Sequence, residues 1–330
     1  MSLISKVPFR SLLFTTSVIT RNILQRRSIL RLRTWRRAIL LLVNGRQHVQ
    51  LIRILSHPQS AQLMLNNPEM SYKYLRNYIS FDISTKNSLA ILIGHYSYLQ
   101  KHFKEDFLNL VYHRPIPLWS KTINDVTFEI AMDFPHTIDY EGDLCLVFKK
   151  DQVSIYRIIF VIANGNSFQL EDDNVIFLSS VQGMRDFEGV KLATKLCHDI
   201  QPAHLLMAAL SGVGKALGFD TIVSIGNKNQ ISQGVKFYFS YDKFFDNYGD
   251  RVPDTNFYKI PLPYKEKPLD FIENHHRKRT QKKRQFKNDI RDEVALAMVQ
   301  FFVKEVDEKI TIKEAAKNML TTSYIGDGYS

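Results

Sequence analysis

Residues 203–217 are the stretch that most restricts what this chain can fold into. Read as a helix, AHLLMAALSGVGKAL is apolar on nearly every side, and a helix of that kind is buried. Pro202 suits the first position of such a helix and Gly218 suits its end. Apolar runs typical of buried strands flank it at 174–180 and 221–226. A strand, helices and a second strand in this order predict a right-handed parallel crossover.

Three further strand-like segments precede the crossover, at 126–132, 143–149 and 154–163, and short polar turns separate them. Their spacing predicts an antiparallel meander. Upstream, over residues 10–112, apolar residues recur at helical spacing. The sequence therefore predicts an α+β fold, in which an N-terminal helical region is followed by a mixed sheet with an antiparallel meander and a helical crossover. This order of elements looks like the acyl-coenzyme-A-binding half of an N-acetyltransferase-like fold.

Changes in composition divide the chain into three predicted regions. A basic helical region covers residues 1–113, a mixed α/β domain covers 114–265, and a basic segment with a C-terminal helix covers 266–330. The stretch HRPIPLW at 113–119 marks the first boundary, because its prolines interrupt regular structure. The C-terminal helix is expected to run from about 286 to 320. With 330 residues, 45% of them hydrophobic, the chain is long enough to bury a sizeable core.

Positive charge is concentrated at the start of the chain. Eleven lysines and arginines and no acidic residue precede Glu69, and these eleven equal the formal net charge of +11. A second basic segment, HHRKRTQKKRQFK, lies at 275–287. Charge polarised in this way indicates an anionic partner, either a phospholipid surface or nucleic acid. The second segment contains almost no aromatic residues, so a solvated charged segment is favoured over binding of single-stranded RNA.

The N-terminal arginines are the predicted contact with an anionic surface. The apolar run at 38–43 is far shorter than the ~20 residues that span a bilayer, and no secretory cleavage pattern is visible. We therefore expect no transmembrane helix and no export, and a cytoplasmic protein that is peripheral at the inner face of the inner membrane. An organellar transit peptide and a basic helix that packs on the domain with solvated arginines are the competing interpretations. The candidate surface-binding residues are Arg26, Arg27, Arg31, Arg33, Arg36 and Arg37.

A set of short motifs, specific together in this order, resembles the VirK/YbjX family of enterobacterial proteins. The motifs are SHP (56–58), GHYSYL (94–99), EGDLCL (141–146), VQG (181–183), LATKLCHDIQP (192–202), SIGN (224–227), SYDKFF (240–245), FYKIP (257–261) and HRKRTQKKR (276–284). The resemblance implies a role in virulence, in the bacterial envelope and its surface proteins, and in resistance to antimicrobial peptides. It implies no particular biochemical activity.

This chain departs from the family pattern at two places. The family tends to carry His-Gly-x-Arg-Pro where residues 198–202 read His-Asp-Ile-Gln-Pro, and it tends to carry a histidine at the place of Gln230. Any chemistry that those family residues perform is in doubt for this chain.

Two places in the sequence are candidates for chemistry. Glu141 and Asp143 open a predicted strand, where a carboxylate that faces a cleft can act as a general base. Gln182 and Gly183 lie where a strand ends before a helix. Backbone N–H groups at such a place can hold the pyrophosphate of coenzyme A, with Arg185 as a phosphate contact. The competing interpretation is a plain strand-to-helix corner, because the usual glycine spacing of a coenzyme A loop is absent.

The remaining motifs are interpreted as structural. His95 and His102 share a predicted helix face, but no third ligand follows at motif spacing, and no metal site is expected. Gly212 and Gly214 lie inside a helix rather than in a phosphate loop, which predicts close helix packing. The favoured function is a virulence accessory protein that supports surface-protein production and envelope integrity. An acyl-coenzyme-A-dependent transferase acting on an envelope component and an RNA-binding post-transcriptional factor are the alternatives, and the oligomeric state stays open.

Overall fold

A computed structural model describes residues 28–135, 140–184, 186–231 and 239–303. The helices within these residues are α1 (Ser28–Val43), α2 (Gly45–Leu55), α3 (Pro58–Asn66), α4 (Thr85–His102), α5 (Phe107–His113), α6 (Phe187–Leu196), α7 (Pro202–Leu217), α8 (Tyr241–Phe245) and α9 (Asn274–Val299). A 3-10 helix at Pro68–Leu75 joins α3 to the segment before α4.

The strands form one mixed sheet in the order β1-β2-β3-β4-β5-β6-β8-β7. They are β1 (Ile116–Ile123), β2 (Val126–Asp133), β3 (Leu144–Lys150), β4 (Val153–Ala163), β5 (Val175–Gly183), β6 (Thr221–Ile225), β7 (Asp250–Arg251) and β8 (Phe257–Pro261). Strands β1 to β5 pair as an antiparallel meander, and β5 pairs with β6 in parallel. The predicted α+β fold, with its meander and its parallel crossover through α6 and α7, is confirmed.

Helix α7 lies at the centre of the crossover. It packs against β3, β4 and β5, and α9 packs along α7 and against β1. Gly212 permits this close packing, since a Cβ there would lie 2.3 Å from the carbonyl oxygen of Arg291 on α9. Gly218 ends α7 in the left-handed conformation, with φ +69°. Both roles were predicted from the sequence.

The N-terminal helices form a second packed group. Helix α2 packs on α4, α3 packs on α5, and α4 packs on β4. One cluster of buried apolar residues runs from Leu41 to Phe302, so the described helices and the sheet share a core.

Two elements differ from the sequence prediction. The proline-containing stretch at 113–119 overlaps β1, which contains Pro117. Strand β1 is the edge strand, which tolerates proline because one side of its ladder is unpaired. The predicted C-terminal helix begins at Asn274 rather than near 286, so the basic segment at 275–287 is part of α9. The predicted part of that helix beyond residue 303 lies outside the described residues. The division into three regions stays a prediction.

Candidate functional site: a buried polar centre beside the parallel strand pair

The candidate site lies where β5 and β6 stop pairing. The two strands are in register only from Ile176 to Leu178 on β5. Immediately afterwards β5 carries an extra residue, Ser179, because Phe160 pairs with Leu178 while Ile159 pairs with Ser180. The Ser179 hydroxyl donates to the carbonyl oxygens of Ile159 and Glu141. This bulge therefore ties the segment before β3 to the place where the strands diverge.

Asp143 is the most buried carboxylate of the centre, with 1% of its surface exposed. Lys73 lies 2.9 Å from its Oδ1 and also donates to the carbonyl oxygen of Gly142 at 3.1 Å. The hydroxyls of Tyr78 and Tyr96 donate to the same carboxylate. Burial alone would raise the pKa of Asp143, but the Lys73 ammonium, with His95 and these hydrogen bonds, holds it below its ordinary value. Asp143 is thus an anion with a nearly complete set of donors, which suits anchoring better than proton transfer.

His95 lies beside this ion pair and is completely buried. Its Nδ1 accepts from the backbone N–H of Ile162 at 3.1 Å. Burial lowers the pKa of His95 to about 4, so the ring is neutral at neutral pH and carries its proton on Nε2. Among the described residues Nε2 has no hydrogen-bond partner. The ring thus supports β4 through Nδ1 and keeps an N–H inside the centre.

Glu141 occupies the other end of the centre and is 4% exposed. Its carboxylate accepts from the Gln182 amide at 2.7 Å and from the Gln230 amide at 3.3 Å. Gln230 also donates to the Tyr241 hydroxyl at 3.1 Å. The amides of Gln182 and Gln230 donate to this carboxylate. Gln182 also accepts from the guanidinium of Arg157, and Gln230 brings the phenol of Tyr241 close. Burial raises the pKa of Tyr241, so that phenol keeps its proton.

A strained backbone turn at residues 79–80 directly follows Tyr78, which bonds to Asp143, and bonds to Tyr140, which precedes Glu141. Ile79 is buried and has φ +57°, which is a costly conformation for a β-branched residue. Its N–H donates to the carbonyl oxygen of Tyr140 at 2.6 Å, and the N–H of Ser80 donates to the carbonyl of Tyr78 at 2.7 Å. The next residue, Phe81, donates its backbone N–H to the carbonyl oxygen of Asn229, after β6, at 3.0 Å. The turn therefore bridges the segment before β3 and the loop after β6.

The comparisons with known proteins place this architecture in a family. The family model described as "Protein of unknown function (DUF535)" matches residues 27–296. The chain belongs to this family. Among its relatives is the uncharacterized protein YbjX of Escherichia coli (strain K12), 23% identical over 272 residues that cover 77% of this chain and 80% of YbjX. Membrane protein LapB of Mannheimia haemolytica is 23% identical over 185 residues, which cover 54% of this chain and 75% of LapB.

An uncharacterized protein of Haemophilus influenzae is 26% identical over 208 residues, which cover 59% of this chain and 63% of that protein. No solved structure matches the chain. The resemblance to the VirK/YbjX family that the sequence motifs indicated is confirmed.

Both positions at which this chain departs from the pattern that the resemblance implies can be placed in the structure. Gln230, where the resemblance implies a histidine, donates a hydrogen bond to Glu141. The Gln230 side chain does not ionise near neutral pH, so it cannot act as a general acid or a general base. Asp199, where the resemblance implies a glycine, has φ +56°. Glycine adopts that left-handed conformation readily, and aspartate tolerates it better than most residues.

The corner after β5 does not fit the phosphates of coenzyme A. The Gln182 side chain already accepts from Arg157 and donates to Glu141. At the start of α6 the carboxylate of Asp186 accepts from the N–H of Gly189 at 2.8 Å, so a negative charge occupies the end that a pyrophosphate needs. The backbone N–H and carbonyl of Val181 both bond to the Tyr241 hydroxyl.

Gly183 itself shows none of the left-handed backbone that would make it a tight phosphate turn. It continues β5 and pairs with Tyr156. A Cβ there would lie 3.1 Å from the Tyr156 ring, so only close ring packing restricts this position. Arg185 lies outside the described residues. The geometry of the other corner residues therefore supports the strand-to-helix corner, and the assignments of Gln182, Gly183 and Arg185 to a cofactor stay predictions.

The poor fit between the corner after β5 and coenzyme A leads to a first testable prediction. Coenzyme A titrated into the full-length protein is expected to give no heat of binding up to ~1 mM, because such a ligand finds its donors already used. Isothermal titration calorimetry measures this directly. Saturable binding that disappears in both Gln182→Ala and Arg185→Ala would contradict the expectation and restore the cofactor site.

The surface-binding arginines are described only in part. Arg26 and Arg27 lie outside the described residues, and Arg31 and Arg33 are described only as backbone of α1. Arg36 is exposed. The helix also carries an exposed apolar part, in which Trp35, Ile39, Leu42 and Val43 are 57%, 58%, 78% and 76% exposed. The sequence analysis missed the last three of these residues as exposed. Their spacing of four and three residues indicates an apolar helix face. It was not recognised because the N-terminal arginines are scattered around the helix.

The described residues contain one group that could approach a metal ion. It consists of Glu273, His275 and His276, all exposed, at the start of α9. Exposed groups of this composition are common in proteins without a bound ion.

Proposed function

We propose that this chain is a peripheral protein of the bacterial envelope, which binds the anionic inner face of the inner membrane through α1. There it supports surface-protein production and envelope integrity, or resistance to antimicrobial peptides, as the family resemblance implies. The observation that carries the proposal is the exposed apolar stripe on α1, formed by Trp35, Ile39, Leu42 and Val43.

The stripe lies on one side of the helix. At 100° per residue its four positions fall within an arc of about 100°. The other side packs inward, because Leu41 is 6% exposed and Ala38 and Leu40 contact the core. A helix that is apolar both toward the core and toward solvent leaves a surface that water covers poorly. Insertion of the outer stripe into the headgroup region of a bilayer removes it from water.

Charge near the stripe suits an anionic lipid surface. Arg36 borders it, and Arg46 and Arg53 are exposed on the following helix. Each basic residue close to an anionic leaflet contributes about 1 kcal/mol, which decays over a Debye length. A few arginines with an inserted tryptophan are therefore sufficient for reversible binding. None of the described helices is long and apolar enough to cross a bilayer.

The name of one relative agrees in kind, since LapB is a "Membrane protein". That name describes LapB, and for this chain it supports membrane association only as part of the proposal.

The proposal predicts that Trp35→Ser combined with Leu42→Ser reduces binding to vesicles containing phosphatidylglycerol by about tenfold or more, because both inserted side chains are lost. Co-sedimentation with vesicles measures the bound fraction. The matched control is Leu65→Ser on α3, which is 73% exposed but lies outside the stripe and is expected to leave binding unchanged. About 0.5 M salt should weaken wild-type binding, because it screens the arginines.

Three results would contradict the proposal. They are equal binding to neutral and anionic vesicles, equal loss in the Leu65→Ser control, and binding of single-stranded RNA that depends on the same two side chains. The last result would favour the RNA-binding alternative.

A further inference from the structure

A cleft on the far side of the crossover, unrelated to α1 and to the buried polar centre, has the composition of an anion site. Its volume is about 500 Å³, within the range of small-ligand sites. One wall is the first half of α9, and the opposite wall is the N-terminus of α7 with the turn before it. The segment after β8 and Tyr248 close the remaining sides.

Positive charge dominates the lining. Five cations contribute to it: Lys265, Lys267, Lys283, Arg284 and Lys287. Two carboxylates, those of Asp199 and Glu266, also line the cleft. The excess is therefore three positive charges within one concave surface, where neighbouring walls reduce screening by water.

The carboxylates do not neutralise the cations evenly. Glu266 pairs with both Arg284 and Lys287. Asp199 pairs with Arg279, which does not line the cleft. Lys283 donates to the backbone carbonyl of Asp199 at 3.0 Å, and it makes no ion pair with a carboxylate among the described residues. Partial burial lowers the pKa of Lys283, and the nearby charges of Arg279 and Lys287 lower it further, while the carboxylate of Asp199 acts in the opposite direction. An anion beside Lys283 would relieve that repulsion.

The opposite wall is the N-terminus of α7, whose cap residue Gln201 makes no side-chain hydrogen bond. The positive end of this 16-residue helix therefore faces the cleft, although Pro202 has no N–H and the N–H of His204 is already bonded to the carbonyl oxygen of Gln201 at 2.9 Å. His204, one turn into α7, has a pKa lowered to about 4 by burial and by the charges of Lys287 and Lys283. It is bonded to the hydroxyl of Tyr248, and the Tyr248 ring packs edge-on against Tyr264 at 5.0 Å. These two rings supply an apolar part of the lining next to the cations.

We propose that this cleft binds a small organic phosphate, whose phosphate group is held by Lys283 and the N-terminus of α7 and whose organic part lies against Tyr248 and Tyr264. The chemistry that the cleft recognises is a compact, multiply charged phosphate. A water-soluble metabolite and the headgroup of phosphatidic acid both carry this group, and the experiment separates them.

The test titrates pyrophosphate into the full-length protein at about 0.15 M salt, at which the Debye length of about 8 Å screens diffuse surface attraction. Lys283→Gln is expected to weaken binding by about tenfold or more, since it removes one charge-assisted hydrogen bond. The matched control is Lys278→Gln, which removes the same charge from an exposed position of α9 outside the lining and is expected to change affinity less than about twofold. Thermal unfolding of both variants checks that each is folded.

A second arm replaces pyrophosphate with short-chain phosphatidic acid below its micelle concentration. Binding of pyrophosphate that depends on Lys283 supports a soluble phosphate. Binding of phosphatidic acid alone, with the same dependence, supports a lipid headgroup in the same site. Absence of binding by both probes up to ~5 mM, or equal losses in Lys283→Gln and Lys278→Gln, overturns the proposal. Because the probes are soluble and α1 is untouched, these results are independent of vesicle binding.

Discussion

Replacement of Asp143 by alanine is expected to lower the free energy of unfolding by about 3–5 kcal/mol, because it leaves the Lys73 ammonium buried without its anion. The side chains of this pair are 6% and 1% exposed, so water cannot substitute for the lost carboxylate. The hydroxyls of Tyr78 and Tyr96 would also lose their acceptor. Urea denaturation of the variant and of wild type measures the difference.

The double variant Lys73→Met with Asp143→Asn provides the control. It removes both charges, so it should be more stable than Asp143→Ala, in the way that replaced ion pairs often are. A double variant as unstable as Asp143→Ala would show that the carboxylate acts through its tyrosine bonds rather than through Lys73.

Because of the Asp143 carboxylate, the stability of the folded chain is also expected to fall at acidic pH. The pKa of Asp143 is lower in the folded chain than its ordinary value, which is about 3.9 in an unfolded chain. Its stabilising contribution is therefore complete above pH 4–5 and is lost as the pH falls through the folded pKa. Wild type should lose more stability on acidification than the double variant does. Equal acid sensitivity of the two would assign acid unfolding to other carboxylates.

Strand and helix patterns predicted most of the sheet because they are local. The runs that became β2 to β6 are long, apolar and β-branched, and α7 is apolar on all sides, so neighbouring sequence alone decides their structure. β1 was missed because a proline such as Pro117 normally ends a strand, and the edge position that tolerates it depends on the rest of the sheet. Helix α9 was started too late because its first half is charged and carries few apolar residues.

The sequence predicted the two carboxylates of the candidate site but not the residues that bind them. Glu141 and Asp143 drew attention as carboxylates beside a strand, but their partners come from distant parts of the chain. Lys73 lies 70 residues before Asp143 in sequence, and Gln230 lies 89 residues after Glu141. No pattern within a window of a helix or a strand can join such positions. The strained turn at Ile79 was equally invisible, since isoleucine is a residue that normally argues against a positive φ.

Replacement of Gly212 by alanine is expected to destabilise the chain by about 1–3 kcal/mol, although alanine favours a helix more than glycine does. The added Cβ would lie 2.3 Å from a backbone carbonyl oxygen of α9, so α9 must move away from α7. Gly94→Ala is the matched control, because Gly94 is exposed on α4 with no atom within 4 Å of its Cβ position; there the same change should stabilise by about 0.5–1 kcal/mol. Since α7 and α9 form opposite walls of the basic cleft, Gly212→Ala should also weaken pyrophosphate binding, whereas Gly94→Ala should not. Equal stabilisation by both alanines would mean that the two helices are not in contact at Gly212.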